Sequence, residues 1–177
     1  MFEMLKPKKY VNSVYNIDLS KLKKVKNIKG IIIDLDNTLV GWGEKEIDQK
    51  MIDWVKEAKK IGLKICIVSN TNSKRAEKFA KILNIPYHSK YFKPFSIAFN
   101  HGLKILDTPK AKTVVIGDQI FTDILGGNRL KLQTILVTPL VKRDSIGTYF
   151  QRNLEKILLS FWIKKGIIKK EIGNWPK

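Results

Sequence analysis

Cysteine is almost absent from this 177-residue sequence: Cys66 is the single one, so no disulfide can form within the chain. It lies in the apolar run 63–68, where it fits as a small buried hydrophobe. No apolar run reaches the roughly 18 residues that a membrane-spanning helix needs, and no hydrophobic segment at the N-terminus indicates a signal peptide. These absences favour a reducing, cytoplasmic setting.

Acidic residues are also scarce, since 16 aspartates and glutamates oppose 34 lysines and arginines, a net charge of +18. The two ends are more basic per residue than the middle, because residues 1–30 and 142–177 each carry +6. Such a field favours anionic partners, whether phosphorylated substrates, acidic lipids or nucleic acid. A lysine-rich, solvated surface with no specific partner explains the charge equally well.

The chain has neither an internal repeat nor a low-complexity linker, and 44% of its residues are apolar. This length and composition suffice for one well-buried core. We expect a single domain over residues 1–177, with its core at about 28–141. The basic segments 1–27 and 142–177 would then pack on that core.

Strand-like and helix-like segments alternate along the core. Continuous apolar runs predict strands at 31–36, 63–68, 113–117 and 134–137, with a short strand or turn at 85–87. Apolar residues three or four apart predict helices at 47–61, 73–83, 95–106 and 121–131. Gly62 should stop the first helix, and Ser73 should cap the second. This order predicts a doubly wound α/β fold, with a mostly parallel five-stranded sheet between two helical layers.

Polar side chains follow the predicted strands, at the edge where such sheets carry their functional sites. Asp34 and Asp36 end the first strand, and their spacing of two places both side chains on one face. Ser69 and Asn70 follow the second strand, where a hydroxyl and backbone N–H groups suit an anionic oxygen.

Further charged residues reach the same edge. Asp118 follows the fourth strand, Asp123 comes one helical turn later, and Lys93 precedes the helix at 95–106. Converging carboxylates repel each other unless a cation lies among them, and a hard divalent ion with oxygen ligands meets that need. Lys93 can neutralise charge on a transferring group. Phosphoryl transfer requires these parts: a nucleophile, a metal ion and a clamp for equatorial oxygens.

These residues lie in segments that resemble, in the same order, the four motifs of haloacid-dehalogenase (HAD) superfamily phosphatases. Residues 34–38 match the first motif, DxDxT, and residues 117–123 match the fourth, GDxxxTD. Ser69 and Lys93 match the second and third. A DxD alone is weak, whereas four motifs in order at strand ends and loops are specific.

The resemblance implies a role for each motif residue. Asp34 would attack phosphorus and form an aspartyl-phosphate, while Asp36 would protonate the leaving oxygen and then activate the hydrolytic water. Asp123 would orient metal-bound water without binding the ion itself. The ion, Mg²⁺, would be held by Asp34, the backbone carbonyl of Asp36, and Asp118. The phosphate would be gripped by Ser69, Asn70 and Lys93.

Segments at 7–18, 36–40, 117–128 and 134–139 further resemble the bacterial YqeG-type subfamily of class III HAD phosphatases, over about residues 5–160. A eukaryotic relative of that subfamily is the mitochondrial phosphatidylglycerophosphate phosphatase. The resemblance therefore implies phosphatidylglycerophosphate at the inner membrane surface as a substrate. Carrying over the substrate is a weaker step than carrying over the chemistry.

The motif spacing leaves no room for a large cap domain. Asp34 and Ser69 are 35 residues apart, and Ser69 and Lys93 are 24 apart, which single helices, a flap and a short strand fill. We expect an open pocket that suits a large substrate, unless a partner subunit completes the site. Trp42 in the flap would either stack over substrate or pack on the domain surface.

Other functions stay open at this stage. A phosphatase could instead act on a soluble sugar, nucleotide or nucleic-acid-end phosphate. An RNA- or ribosome-associated binding protein with little activity fits the basic charge, although the full catalytic set opposes it. The apolar and basic tail at 154–165 would lie on an anionic membrane, pack on the sheet, or form a homodimer contact. His88 and His101 show no partner pattern and are expected to be structural or surface residues.

Overall fold

The computed structural model describes residues 2–141 and 148–171. These residues form seven strands: β1 (Lys9–Val11), β2 (Gly30–Ile33), β3 (Lys64–Val68), β4 (Tyr87–His88), β5 (Thr113–Gly117), β6 (Gln133–Val137) and β7 (Lys170–Glu171). They also form six α-helices: α1 (Leu19–Lys24), α2 (Gln49–Lys60), α3 (Ser73–Leu83), α4 (Ser96–Leu106), α5 (Leu125–Arg129) and α6 (Tyr149–Lys164). A π-helix at Ile120–Ile124 leads into α5.

The seven strands form one parallel sheet in the order β4-β3-β2-β5-β6-β1-β7. The chain winds outward from β2 through β3 to β4, and then returns to β5 on the other side of β2. This reversal between β2 and β5 is the topological switch point, where α/β sheets place their sites. The predicted doubly wound class is confirmed.

The sheet contains two strands more than the predicted five. β1 pairs with β6 and with β7, so the basic N-terminal segment enters the sheet instead of only packing on the core. β1 has three residues and β7 has two. Runs this short show neither alternation nor a continuous apolar stretch, which is why the sequence did not predict them.

Successive residues of each strand face opposite helical layers. Ile31 and Ile33 of β2 belong to the apolar core that includes Phe79 of α3, together with residues of α1 and α2. Ile32 packs on the other face with Phe99 of α4. A third cluster joins β1 and β6 to the π-helix and to α6. Helices cover both faces, which confirms the predicted three-layer arrangement.

The helix boundaries follow ordinary capping chemistry. Gly62, with a φ of +81°, stands just past the end of α2, as predicted. The prediction that Ser73 caps α3 was wrong, because the cap is Asn72, whose Oδ1 accepts from the backbone N–H of Arg75 at 2.9 Å. Ser73 is instead the first helical residue.

Candidate active site

Asp34 is the first residue after β2, and the backbone at the strand end fixes its position. Its N–H donates to the carbonyl oxygen of Ile116 in β5 at 2.9 Å. The chain then turns through Asn37, whose φ of 62° is a conformation that asparagine tolerates better than most residues. The Asp34 side chain is 7% exposed and lines a cleft at the carboxyl edge of the sheet.

Three buried carboxylates meet at this edge, because Asp34, Asp118 and Asp123 each offer an oxygen within 4.8 Å of the others. Asp123 reaches the cluster from the π-helix, and its Oδ2 accepts from the N–H of Gln119 at 3.1 Å. Gly117 makes this approach feasible, since a Cβ atom there would lie 2.2 Å from Cγ of Asp123. The glycine of the GD pair is therefore required by packing.

Lys93 connects two of these carboxylates. Its buried Nζ donates to Oδ1 of Asp34 at 2.5 Å and to Oδ1 of Asp123 at 2.6 Å. Asn70 holds the Lys93 backbone from both sides, since its Nδ2 donates to the Lys93 carbonyl and its Oδ1 accepts from the Lys93 N–H. Asn70 was predicted as a phosphate-binding residue, and the structure gives it a positioning contact as well.

Burial dominates the electrostatics of this cluster. Burial raises the pKa of Asp34 to about 6, with Lys93 opposing the rise and Asp123 adding to it. Burial also raises the pKa of Asp118 well above its usual range, against the opposing effect of Arg152. Burial alone would lower the pKa of Lys93, but the carboxylates of Asp123 and Asp34 outweigh it and raise that pKa. The cluster therefore favours added positive charge.

Helix α6 closes one side of the site. Arg152 donates to the carboxylate of Asp118 and, at 2.7 Å, to its carbonyl oxygen. Arg152 also pairs with Glu155 at 3.3 Å, and Glu155 accepts from the N–H of Phe121 at 3.1 Å. Burial raises the pKa of Glu155. Neither residue was predicted as a site residue, because charged residues on a helix usually face solvent.

Asp36 stands apart from the carboxylate cluster and pairs with Arg75 at 2.8 Å. The flap that follows Asp36 carries Trp42, whose backbone N–H donates to Oδ1 of Asn37 at 3.2 Å. The Trp42 side chain is 41% exposed and lines the cleft. Stacking of Trp42 over a bound substrate stays a prediction.

The cleft has a volume of 440 Å³. Five of the seven predicted site residues line it: Asp34, Asp36, Ser69, Asn70 and Lys93. Asp118 and Asp123 lie behind them, against Asp34. Thr148 and Gln151 line the cleft from the N-terminal end of α6, a contribution that the sequence analysis did not foresee.

The two histidines are not isolated. His88 and His101 stack with their ring centroids 4.8 Å apart. Nε2 of His88 accepts from the N–H of Tyr91 at 3.2 Å, in the loop that carries Lys93. Burial, together with the neighbouring His101 and Lys90, lowers the pKa of His88. Nothing in the sequence indicated this pairing.

Comparison with known proteins agrees with this geometry. A family model described as haloacid dehalogenase-like hydrolase matches residues 41–131, about half of the chain. The protein called "Probable phosphatase YqeG" from Bacillus subtilis (strain 168) is 43% identical over 165 residues, which cover 93% of this chain and 95% of that protein. The chain belongs to the haloacid dehalogenase-like hydrolase family. The prediction of a HAD-type phosphatase is thereby confirmed.

More distant relatives of this HAD-like hydrolase share the fold alone, or match it over only part of their own length. "Phosphatidylglycerophosphate phosphatase 1, chloroplastic/mitochondrial" from Arabidopsis thaliana is 29% identical over 168 residues, and the match covers 89% of this chain but only about half, 48%, of that protein. The structure of an uncharacterized protein from Listeria monocytogenes serotype 4b superposes with a TM-score of 0.54 at 16% identity, covering 78% of this chain and 99% of that one. A cobalt-bound deoxy-D-mannose-octulosonate 8-phosphate phosphatase from Haemophilus influenzae superposes with a TM-score of 0.51 at 18% identity, covering 77% and 90%.

The donor set of this HAD-like hydrolase fits a divalent cation. The described part of the site holds four buried carboxylates and two cations that pair with them: Asp34, Asp118, Asp123 and Glu155 against Lys93 and Arg152. The excess charge is negative, and the donors are hard carboxylate oxygens. A divalent ion at Asp34 and Asp118 would compensate these two carboxylates, whose pKa values are raised chiefly by burial.

Proposed function

We propose that this HAD-like hydrolase is a Mg²⁺-dependent phosphomonoesterase that forms an aspartyl-phosphate on Asp34. The observation that carries the proposal is the position of the Asp34 carboxylate, buried at an open cleft and paired with Lys93. Asp118 and Asp123 lie within 4.8 Å of it. Mg²⁺, held by Asp34, the Asp36 carbonyl and Asp118, would supply neutralising charge for the phosphoryl oxygens.

The chemistry would proceed in two displacements. In the first, an Asp34 carboxylate oxygen bonds to phosphorus while the bond from phosphorus to the leaving oxygen breaks, and Asp36 protonates that oxygen. In the second, Asp36 takes a proton from water, which attacks phosphorus and releases Asp34. Ser69, Asn70 and Lys93 line the cleft beside Asp34, where they would bind the phosphoryl oxygens.

We further propose a phospholipid substrate, phosphatidylglycerophosphate, which the Arabidopsis relative carries in its name. Between Asp34 and Ser69 the structure has only the flap, α2 and β3, and between Ser69 and Lys93 only α3 and β4. The cleft is therefore open to a head group attached to a bilayer. No described helix is long and apolar enough to cross that bilayer. We propose peripheral contact with it.

The outer face of α6 supports such a contact with an anionic membrane. Its apolar residues, spaced four, three and four apart, form an exposed stripe: Phe150, Leu154, Ile157 and Phe161. Lysines that suit anionic lipid phosphates accompany the stripe: Lys156, Lys164 and Lys165. Gln151, in the first turn of the same helix, lines the cleft. A membrane that contacts α6 would therefore lie next to the cleft. We propose that this contact occurs at the cytoplasmic face of the inner membrane.

The deciding experiment is a phosphatase panel with Mg²⁺ that includes phosphatidylglycerophosphate beside sugar, nucleotide and nucleic-acid-end phosphates. We expect phosphate release from the lipid, and Asp34→Asn should lower the rate by at least about 10³-fold. A preference for a soluble phosphate would contradict the lipid substrate but not the phosphatase activity. Full activity of Asp34→Asn would reject the nucleophile. Inactivity of the wild-type chain on every substrate would favour the RNA- or ribosome-associated protein.

A further inference from the structure

We infer that Arg75 is a positioning residue that sets the Asp36 carboxylate and the flap for proton transfer. The inference rests on the proposed function, because it concerns the acid and base role of Asp36. Arg75 belongs to none of the four motifs. It lies in the first turn of α3, six residues after Ser69.

The guanidinium group of Arg75 uses all three of its nitrogens. Nε donates to Oδ1 of Asp36 at 2.8 Å, and the two terminal nitrogens donate to the carbonyl oxygens of Glu44 at 2.6 Å and Gly41 at 3.1 Å. Phe79 lies beneath, with its ring centroid 4.9 Å from the guanidinium carbon. The guanidinium group of arginine is planar and its donors point in fixed directions, so it holds several acceptors at once. The ammonium group of a lysine cannot reproduce that geometry.

These contacts join three separate segments at one point. Asp36 follows β2, and Gly41 and Glu44 lie on either side of Trp42 in the flap, the loop between Asp36 and α2. Arg75 is anchored through its own N–H to the cap residue of α3. The side chains of Arg75 and Asp36 are each 20% exposed, so solvent only partly weakens the pair. The direction of the Asp36 carboxylate is therefore coupled to the position of the flap.

Lys78 provides a matched comparison within the same helix. Its Nζ donates to the carbonyl oxygen of Lys45 in the flap, and it lies 5.3 Å from the ring centroid of Phe79. It therefore shares two features of Arg75, the flap contact and the aromatic contact, while its hydrogen bond leads to Lys45 and not to Asp36. Lys78→Gln removes a flap contact and leaves the Asp36 pair in place.

The test uses two substrates with Mg²⁺. One is 4-nitrophenyl phosphate, whose leaving group needs little protonation, and the other is phosphatidylglycerophosphate, an alkyl phosphate whose leaving oxygen needs a general acid. With Arg75→Gln we expect a burst of about one equivalent of nitrophenol, followed by turnover that is about 10²-fold slower, because water attack on the phosphoenzyme still needs Asp36. Acid-quenched protein should carry the trapped phosphate. The alkyl phosphate should give no burst and an equally slow rate.

The controls separate a positioning role from a structural one. Lys78→Gln should turn over both substrates at the wild-type rate without a burst, and Arg75→Lys should recover part of the second step. Two results for Arg75→Gln would overturn the inference. One is equal slowing on both substrates without trapped phosphate, and the other is kinetics identical to those of the wild type. A wild-type chain that hydrolyses neither substrate would instead reject the proposed function, and the inference with it.

Discussion

Lys93 and Asp34, which are 59 residues apart in the chain, are joined by a 2.5 Å hydrogen bond between two buried side chains. The Lys93 ammonium also binds Asp123, so one buried cation compensates two buried carboxylates. This arrangement is sensitive to the loss of the Lys93 ammonium group, because each carboxylate would remain buried without that partner.

Lys93→Met should therefore destabilise the protein by about 3–5 kcal/mol when divalent ions are chelated. The same substitution should abolish phosphatase activity. Urea unfolding at neutral pH measures the first effect, and Lys104→Met on the exposed side of α4 is the control. Equal unfolding midpoints for the two variants would contradict the compensating role of Lys93.

Mg²⁺ should stabilise the folded chain, because it would bind among carboxylates that repel one another. At about 100 times the dissociation constant, the expected gain in the free energy of unfolding is about 2.7 kcal/mol. Asp118→Asn should lose most of this gain, as followed by thermal unfolding with and without Mg²⁺. Asp107→Asn, at a side chain that is 98% exposed, should keep it. No Mg²⁺-dependent shift in the wild-type protein would argue against a metal site here.

The folded protein should lose stability at mildly acidic pH through His88. Its pKa is lowered in the folded state, so the unfolded chain binds the proton more readily, and stability falls as pH drops below about 6.5. Protonation of Nε2 also removes the acceptor for the N–H of Tyr91 and places a charge beside Lys90 and His101.

Urea unfolding at several pH values between 7.5 and 5 tests this expectation. His88→Gln keeps an acceptor oxygen but cannot titrate, so its stability should depend less on pH in that window. An identical pH dependence in the variant would assign the loss to other groups.

Binding to vesicles that contain anionic lipid should depend on the stripe of α6. Replacing Ile157 and Phe161 by serine should weaken binding at least about tenfold, because two exposed apolar side chains are lost from the contact. Ile82→Ser and Ile105→Ser, at exposed apolar residues of α3 and α4, form the matched control. Unchanged binding of the α6 variant, or no binding of the wild type at low salt, would remove the membrane from the proposal.

Residues at strand ends were predictable from the sequence. Asp34, Ser69 and Asp118 directly follow apolar runs, and the carboxyl ends of parallel strands meet at one edge. The proximity of these three residues could therefore be predicted from the fold class alone. Lys93 lies in a loop, and its position was predicted through the motif resemblance and not through periodicity.

Arg75 and Arg152 were not predictable in the same way. Charged residues on amphipathic helices usually face solvent, and only the three-dimensional packing turns these two toward carboxylates. One signal was available, because the chain has only four arginines among its 34 basic residues. Two of those four bind carboxylates at the site, where the planar fork of arginine differs from a lysine.

The place of β1 between β6 and β7 has a consequence for synthesis on the ribosome. β1 is made early, yet its sheet partner β6 spans Gln133–Val137 and cannot be paired until those residues emerge. Until then both edges of β1 stay unpaired, because its other partner, β7, is made later still. Contacts of such long sequence separation form slowly. The N-terminal strand is thus a late addition to the sheet, and a nascent chain that stops before residue 133 lacks its sheet partner.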